Sequence, residues 1–378
     1  MIKVYLDNAA TTPILPEVIQ LVSQSMESNF GNPSSSHQWG RAAKAALERA
    51  RKNIANYFNV LASEIVFCSG GTEADNLILQ NAVLNLAVKT IITSQIEHHA
   101  VLHTIRYLQN IYNIKVIYLN LDSKANFKLE ELEAILKNNK TKTLVSLMWV
   151  NNEIGNMLNI NEVASICKKY RALFHSDTVQ AIGYYPIDLQ KTPLDFILGS
   201  AHKFHGPKGV GFAFIRKGLL VKPLFHGGNQ ERGIRSSTEN LHSILGMEKA
   251  LEISYNDMTQ TQLRLKKLKK YFIKGLKSQF PDIEFNGESE SLQNGSFKIL
   301  NVRLPFASKM TLFQLDLKGI ATSGGSACQS GSSKGSHVLE AFLNNSEKEK
   351  TSIRFSFSKL NTKKEIDLTL NALKNISI

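Results

Sequence analysis

Four short stretches carry residue types that could do chemistry. Ser69-Gly70-Gly71-Thr72-Glu73-Ala74-Asp75-Asn76 follows a β-rich run and opens a helical pattern. Glycines that turn tightly and free N–H groups at a helix start could hold a phosphate there, with the Thr72 hydroxyl as a further donor. The Gly-Lys-Ser/Thr ending of a P-loop is missing, and a Gly-Gly turn by itself is often only a turn. Glu97-His98-His99 follows a second apolar run. His98 could stack on a ring and move protons; adjacent side chains diverge, so at most one of the two histidines is expected in a site. No companion ligand set at metal spacing goes with them, and no metal is expected. Asp177, in His175-Ser176-Asp177-Thr178-Val179-Gln180, sits just past a strand, where a carboxylate could pair with a protonated ring nitrogen or simply cap a helix. Lys203, in Ser200-Ala201-His202-Lys203, follows a short apolar strand. Partial burial there would free its amine for a Schiff base, although an isolated loop lysine is more often a surface residue.

The elements that must position these residues are short strands at 64–68, 89–93, 116–119, 143–148, 172–175, 196–198 and 211–215, with helical patterns such as 41–58 and 129–136 between them. Such alternation implies a mainly parallel sheet with helices on both faces, and ligands gather at the carboxyl ends of its strands. A phosphate loop, a stacking histidine, a carboxylate and a lysine, each after a separate strand, meet the needs of pyridoxal phosphate, an electron sink for bound amino acids. From about residue 241 the texture changes to a long helix reaching about 277, a Gly/Ser/Asn-rich segment at 286–296, and strands at 299–304 and 352–356. The expected architecture is a large domain over 15–250 and a smaller α+β domain from 1–14 and 251–378.

The 378 residues are 43% hydrophobic and 20% charged, enough to bury a full core, which excludes disorder. A net charge of +13 admits an acidic partner. Seven cations and no acid fall between Arg264 and Lys277, with Leu265, Leu268, Phe272 and Leu276 at helical spacing; a solvated outer face is expected over an RNA-binding patch. Three cysteines, Cys68, Cys167 and Cys328, make a disulfide framework untenable and point to a reducing, cytoplasmic compartment. The start has no apolar core of a signal peptide, and no apolar run approaches membrane-span length.

With these residues in view, the chain resembles the cysteine desulfurases, pyridoxal-phosphate enzymes of the class V aminotransferase family with fold type I. The resemblance runs nearly end to end. It is carried by Tyr5-Leu6-Asp7-Asn8-Ala9-Ala10-Thr11-Thr12-Pro13, Gly31-Asn32-Pro33-Ser34-Ser35, Ser69-Gly70-Gly71-Thr72-Glu73 and Glu97-His98-His99-Ala100. Further on it includes Val150-Asn151-Asn152-Glu153-Ile154-Gly155, Ser200-Ala201-His202-Lys203 and Gly228-Asn229-Gln230-Glu231-Arg232-Gly233 with Arg235 and Thr238. It implies a seven-stranded, mainly parallel sheet in the large domain. Lys203 would bind the cofactor, Asp177 would pair with its ring nitrogen and His98 would stack on the ring. Gln180 and Asn152 would contact the ring hydroxyl side, and Gly71, Thr72, Ser200 and His202 would hold the phosphate. The family is dimeric, with Thr238 reaching the neighbouring subunit's phosphate.

Ser323-Gly324-Gly325-Ser326-Ala327-Cys328-Gln329-Ser330-Gly331-Ser332 is a loop of small residues suited to carrying a thiol into a cleft. Cys68 and Cys167 lie in strand and helix patterns where a buried, inert thiol is expected. The loop, with Ser336-His337-Val338-Leu339 after it, resembles that of group I desulfurases, which makes Cys328 the expected nucleophile. The resemblance implies L-cysteine as substrate, with Arg354 gripping its carboxylate near Asn152, Lys203 and His98 moving the Cα proton, and a persulfide forming on Cys328. The sulfur would pass to an acceptor such as an iron–sulfur scaffold, including cluster hand-off at Cys328, or a tRNA-thiolation enzyme. Selenocysteine lyase or cysteine-sulfinate desulfinase activity is the alternative within this chemistry. A non-catalytic basic RNA- or scaffold-binding protein is the alternative outside it. The chain stops at Ile378, short of the C-terminal extension that iron–sulfur-scaffold-feeding members commonly carry, which leaves the acceptor open.

Overall fold

The computed structural model describes residues 3–308, 310–324 and 335–376. Its strands and helices follow in order as β1 (Val4–Tyr5), α1 (Pro16–Ser28), α2 (Gln38–Tyr57), β2 (Ile65–Cys68), α3 (Gly71–Leu84), β3 (Thr90–Thr93), α4 (His99–Tyr112), β4 (Lys115–Tyr118), α5 (Leu129–Asn138), β5 (Thr143–Ser146) and α6 (Ile160–Lys169). Then come β6 (Leu173–Asp177), β7 (Phe196–Ser200), β8 (Gly211–Ile215), α7 (Leu241–Asn256), α8 (Met258–Gln279), β9 (Glu284–Phe285), β10 (Ile299–Arg303), α9 (Thr311–Leu317) and β11 (Ile320–Ala321). The chain closes with α10 (His337–Glu340), α11 (Asn345–Glu349), β12 (Ser352–Ser356) and α12 (Lys363–Lys374).

The central sheet has seven strands in the order β2-β8-β7-β6-β5-β3-β4, and only β8 runs against the rest. The sequence explains why both faces are covered. The central strands are nearly continuous apolar runs, and alternate residues enter different cores: Ile65, Phe67, Ile92, Val145 and Ile197 face one, and Val66, Ile91, Leu144, Phe196 and Leu198 face the other. Helices α2, α6 and α7 pack on the first side, and α3 and α4 on the second. Because β2, β3, β5, β6 and β7 point the same way, their carboxyl ends bring the loops after Cys68, Thr93, Ser146, Asp177 and Ser200 to one edge.

The C-terminal part builds a three-stranded antiparallel sheet, β12-β10-β9, and a parallel pair of β1 with β11. The long helix expected from 241 is two helices that meet at Asp257, whose carboxylate pairs with Lys359 at 3.1 Å. In α8 the apolar face is as expected, and Lys266, Lys267, Lys270 and Lys274 are exposed. Lys269 departs from that picture. It is fully buried, donating to the carbonyls of Ser296 at 2.7 Å and Ser291 at 3.3 Å, and burial lowers its pKa to about 7. Among the described residues no helix is long and apolar enough to cross a membrane.

Candidate active site

At the sheet's carboxyl edge lies a cavity of about 220 Å³, lined by Gly71, Thr72, His98, Asn152, Asp177, Gln180, Ser200, His202, Lys203 and Arg354. Ten of the expected site residues thus converge from distant parts of the chain. Two expected residues remain. Thr238 is exposed and lines a separate depression with Cys68, Glu231 and Arg235, and Cys328 lies outside the described residues.

Each side chain is held by its element. Asp177 is the last residue of β6 rather than just past it, and its Oδ1 accepts from the Val179 N–H at 2.9 Å. Lys203 ends a single 3-10 turn after β7, and its Nζ donates to the carbonyls of Ala9 and Ala10, both at 2.8 Å. His98 caps α4: its Nδ1 accepts from the Ala100 N–H at 3.1 Å, so a neutral ring carries its proton on Nε2. His202 hydrogen-bonds through Nδ1 to Thr11 Oγ1 at 3.1 Å. Burial, reinforced by the Lys203 and Lys208 charges, lowers its pKa to about 4 and leaves it neutral at physiological pH. Gly70, before α3, has φ +155°, and a Cβ on Gly71 would come within 2.9 Å of Val179. Both positions therefore keep the helix start open to a ligand.

Arg354 is buried in β12; one terminal nitrogen pairs with Asp7 at 2.8 Å and the other donates to the Asn152 carbonyl at 2.8 Å. Asp75 was not foreseen. It is buried on α3, lines the cavity, and stands 3.3 Å from His175 Nε2, whose other nitrogen contacts Ser146 Oγ at 2.9 Å. Burial raises both carboxyls, Asp75 well above the ordinary range, with the Asp177 and Glu97 charges adding to it. Asp177 alone has compensation, from His98, the Val179 N–H and Lys203, so of the two it is the one whose charge the surroundings favour. Donor atoms of Asp75, His98 and Asp177 lie within 4.8 Å of one another.

Behind them, Glu97 is buried, accepts from Ser94 Oγ at 2.6 Å, and is raised to about 8 by burial. Between its ordinary 4.5 and about 8, the unfolded chain has released this proton and the fold retains it. Stability therefore falls as pH rises through that window, by about 1.4 kcal/mol per unit at most. Glu97→Gln is expected to flatten this slope and to raise Tm at pH 8 more than at pH 5, read by thermal denaturation at both pH values.

The residues fit pyridoxal phosphate on their own chemistry. Gln180 Oε1 and Arg354 Nε are buried without a hydrogen-bond partner among the described residues, and both belong to cavity-lining side chains. First-turn N–H groups of α3 open toward an adjoining depression shared by Gly71, Thr72, Ser200 and His202. Cys68 and Cys167 are buried, and burial drives both thiols up, away from the reactive thiolate.

This fold, with a lysine, a carboxylate and a histidine around one cavity at the sheet's edge, defines a fold type I pyridoxal-phosphate enzyme. The chain belongs to the aminotransferase class-V family, which it matches over residues 4–369. It is 40% identical over 380 residues to the cysteine desulfurase IscS of Dictyoglomus turgidum, covering 99% of this chain and 94% of that protein. A solved NifS-like protein superposes with a TM-score of 0.89 at 36% identity, covering 99% of this chain and 98% of that one. A solved structure titled SspA in complex with cysteine gives a TM-score of 0.80 at 28% identity, covering 94% and 99%.

Proposed function

We infer that the chain is a pyridoxal-phosphate-dependent cysteine desulfurase, which converts L-cysteine to L-alanine and leaves the sulfur as a persulfide. The observation that carries this reading is the meeting of Lys203, Asp177, His98 and Arg354 around one cavity in a chain so similar to named desulfurases. When bound, pyridoxal phosphate supplies a conjugated ring that accepts the electron pair released at the substrate's Cα. Asp177 keeps a proton on the ring nitrogen, and His98 covers the ring face. Lys203 anchors the cofactor and moves the Cα proton. Gln180 and Asn152 orient the ring hydroxyl side. Gly71, Thr72, Ser200 and His202 bind the phosphate. Arg354, fixed by Asp7, receives the substrate carboxylate. The Cys328 thiolate forms a bond to the substrate sulfur as the Cβ–S bond breaks, so that cysteine plus enzyme thiol become alanine plus enzyme persulfide.

Cys328→Ser tests this directly. It is expected to keep the cofactor's absorbance while persulfide and alanine formation from L-cysteine both cease, read by thiocyanate release and alanine assay. Alanine production at the parent rate would overturn the assignment of Cys328.

The chain acts as a homodimer on this reading. In support, Thr238 lies outside its own subunit's cavity, and Ile19, Met26, Phe30 and Trp39 expose large apolar side chains. It is placed in the cytoplasm, with an iron–sulfur scaffold or a tRNA-thiolation enzyme as sulfur acceptor. The two structural units are taken to be 15–250 and 1–14 with 251–378; in support, the α7–α8 break at Asp257 falls near that boundary, and α7 packs on α1 and α2 while α8 packs on α12.

A further inference from the structure

Outside the cofactor site, a depression of about 930 Å³ is lined by residues that include His99, His103, Arg106, Tyr118, His337 and Glu340. His99 and His103 stand one turn apart on α4, the i, i+4 spacing at which two imidazoles share a helix face and chelate one ion. His337, first residue of α10, comes from far along the chain and packs against His99. Ring centroids are 4.9 Å apart for His99 and His103 and 4.2 Å for His99 and His337. Two imidazoles bound to one tetrahedral zinc through 2.0–2.1 Å bonds have centroids roughly 5 Å apart, close to the ring separations here. The ring nitrogens of the three residues are not yet gathered within 4.8 Å of one another, so chelation requires the side chains to rotate.

The state of His337 is the second observation. Its Nε2 lies 2.9 Å from the Glu97 carbonyl oxygen, which can only accept, so Nε2 carries a proton and, in the neutral ring, Nδ1 keeps its lone pair. That Nδ1 is buried without a hydrogen-bond partner among the described residues. A ring whose far N–H is fixed by a backbone carbonyl, with its other nitrogen bare, is the arrangement metal-binding histidines adopt. The charges around it are mixed. Arg106, exposed on the same helix, opposes a cation, and Glu340, which pairs with Lys348 at 3.0 Å, favours one.

We propose that His99, His103 and His337 form a site for a divalent transition metal ion of the Zn²⁺ type, with water or Glu340 in the fourth position. Such an ion ties the start of α4, next to the ring-covering His98, to α10. It is distinct from the donor group of Asp75, His98 and Asp177, which the cofactor occupies in the holoenzyme.

The test uses untagged, chelator-stripped holoenzyme carrying Cys328→Ser, so that its thiolate does not compete, titrated calorimetrically with zinc chloride. One ion is expected per chain. His103→Ala and His337→Ala should each weaken binding by roughly tenfold or more, the loss that even outer partners of a metal site produce, and zinc should raise Tm in the parent but not in these variants. His103 is exposed, so its replacement leaves the fold intact. Absence of stoichiometric binding, or binding undiminished in either variant, would overturn the proposal.

Discussion

Replacing Lys203 with alanine is expected to remove turnover, with kcat falling by at least 10²–10⁴, about the range lost with one positioned proton-transfer group. The geometry gives the reason. Ala201 and Phe204 on either side of the turn are buried, so the turn after β7 fixes the lysine stem, and the amine reaches into the cavity that holds Asp177. No other described residue lining that cavity offers a primary amine. The variant should also lose covalent attachment of pyridoxal phosphate, checked by the mass of borohydride-reduced protein beside an alanine assay. Because Nζ also bonds to the Ala9 and Ala10 carbonyls, Lys203→Gln serves as the control: it keeps a donor and should fold normally with no turnover. Alanine formation within tenfold of the parent in either variant would remove Lys203 from the reaction.

The second large effect is on stability. Glu231→Ala is expected to cost about 3–5 kcal/mol, the usual result of stranding one partner of a buried ion pair. Arg51 and Glu231 meet through two parallel bonds of 2.6 and 2.7 Å, with each side chain 2% exposed. Their remaining capacity is also used. Arg51 donates to the Ile65 carbonyl at 2.9 Å and lies 4.5 Å from the centre of the Phe67 ring, and Glu231 accepts the Phe67 N–H at 2.8 Å. The pair thus bolts the 228–233 segment to β2, immediately before the phosphate loop. Glu231 and Arg232 take left-handed φ values of 46° and 58°, which the anchor must hold in place. Urea unfolding of Glu231→Ala and of a double Arg51→Met, Glu231→Leu variant would check this; the double variant should recover part of the loss, since no charge is left stranded.

Lys203, Asp177, His98 and the Ser69–Asn76 loop were legible because each follows an apolar strand, so a local pattern placed them at one edge. Asp75 was not, since an acid near a helix start is ordinarily solvated; the available signal was the Leu77-Ile78-Leu79 run, which leaves α3 buried on more than one side. The carbonyls of Ala9 and Ala10 carry no side-chain signal at all. Lys269 was countable with its neighbours as a surface cation, yet it stands four residues after Leu265 and three before Phe272, on the apolar face. Likewise His99 and His103 have chelating spacing, but their neighbour His337 is more than two hundred residues away, and only the fold brings it near. The break at Asp257 has neither Gly nor Pro to announce it.

The pairing of β1 with β11, in register from Val4 with Ile320, bears on how such a protein is made. The first strand emerges from the ribosome long before its partner exists, and the segment bearing Ala9 and Ala10 cannot settle over Lys203 until β12, which accepts the Asp7 bridge at Ser356, has been synthesised. The cavity is therefore closed by both ends of the chain, and its completion is a late, slow event dominated by non-local contacts. Cofactor loading belongs after translation, and a nascent chain, however well its central sheet has formed, is not yet an enzyme.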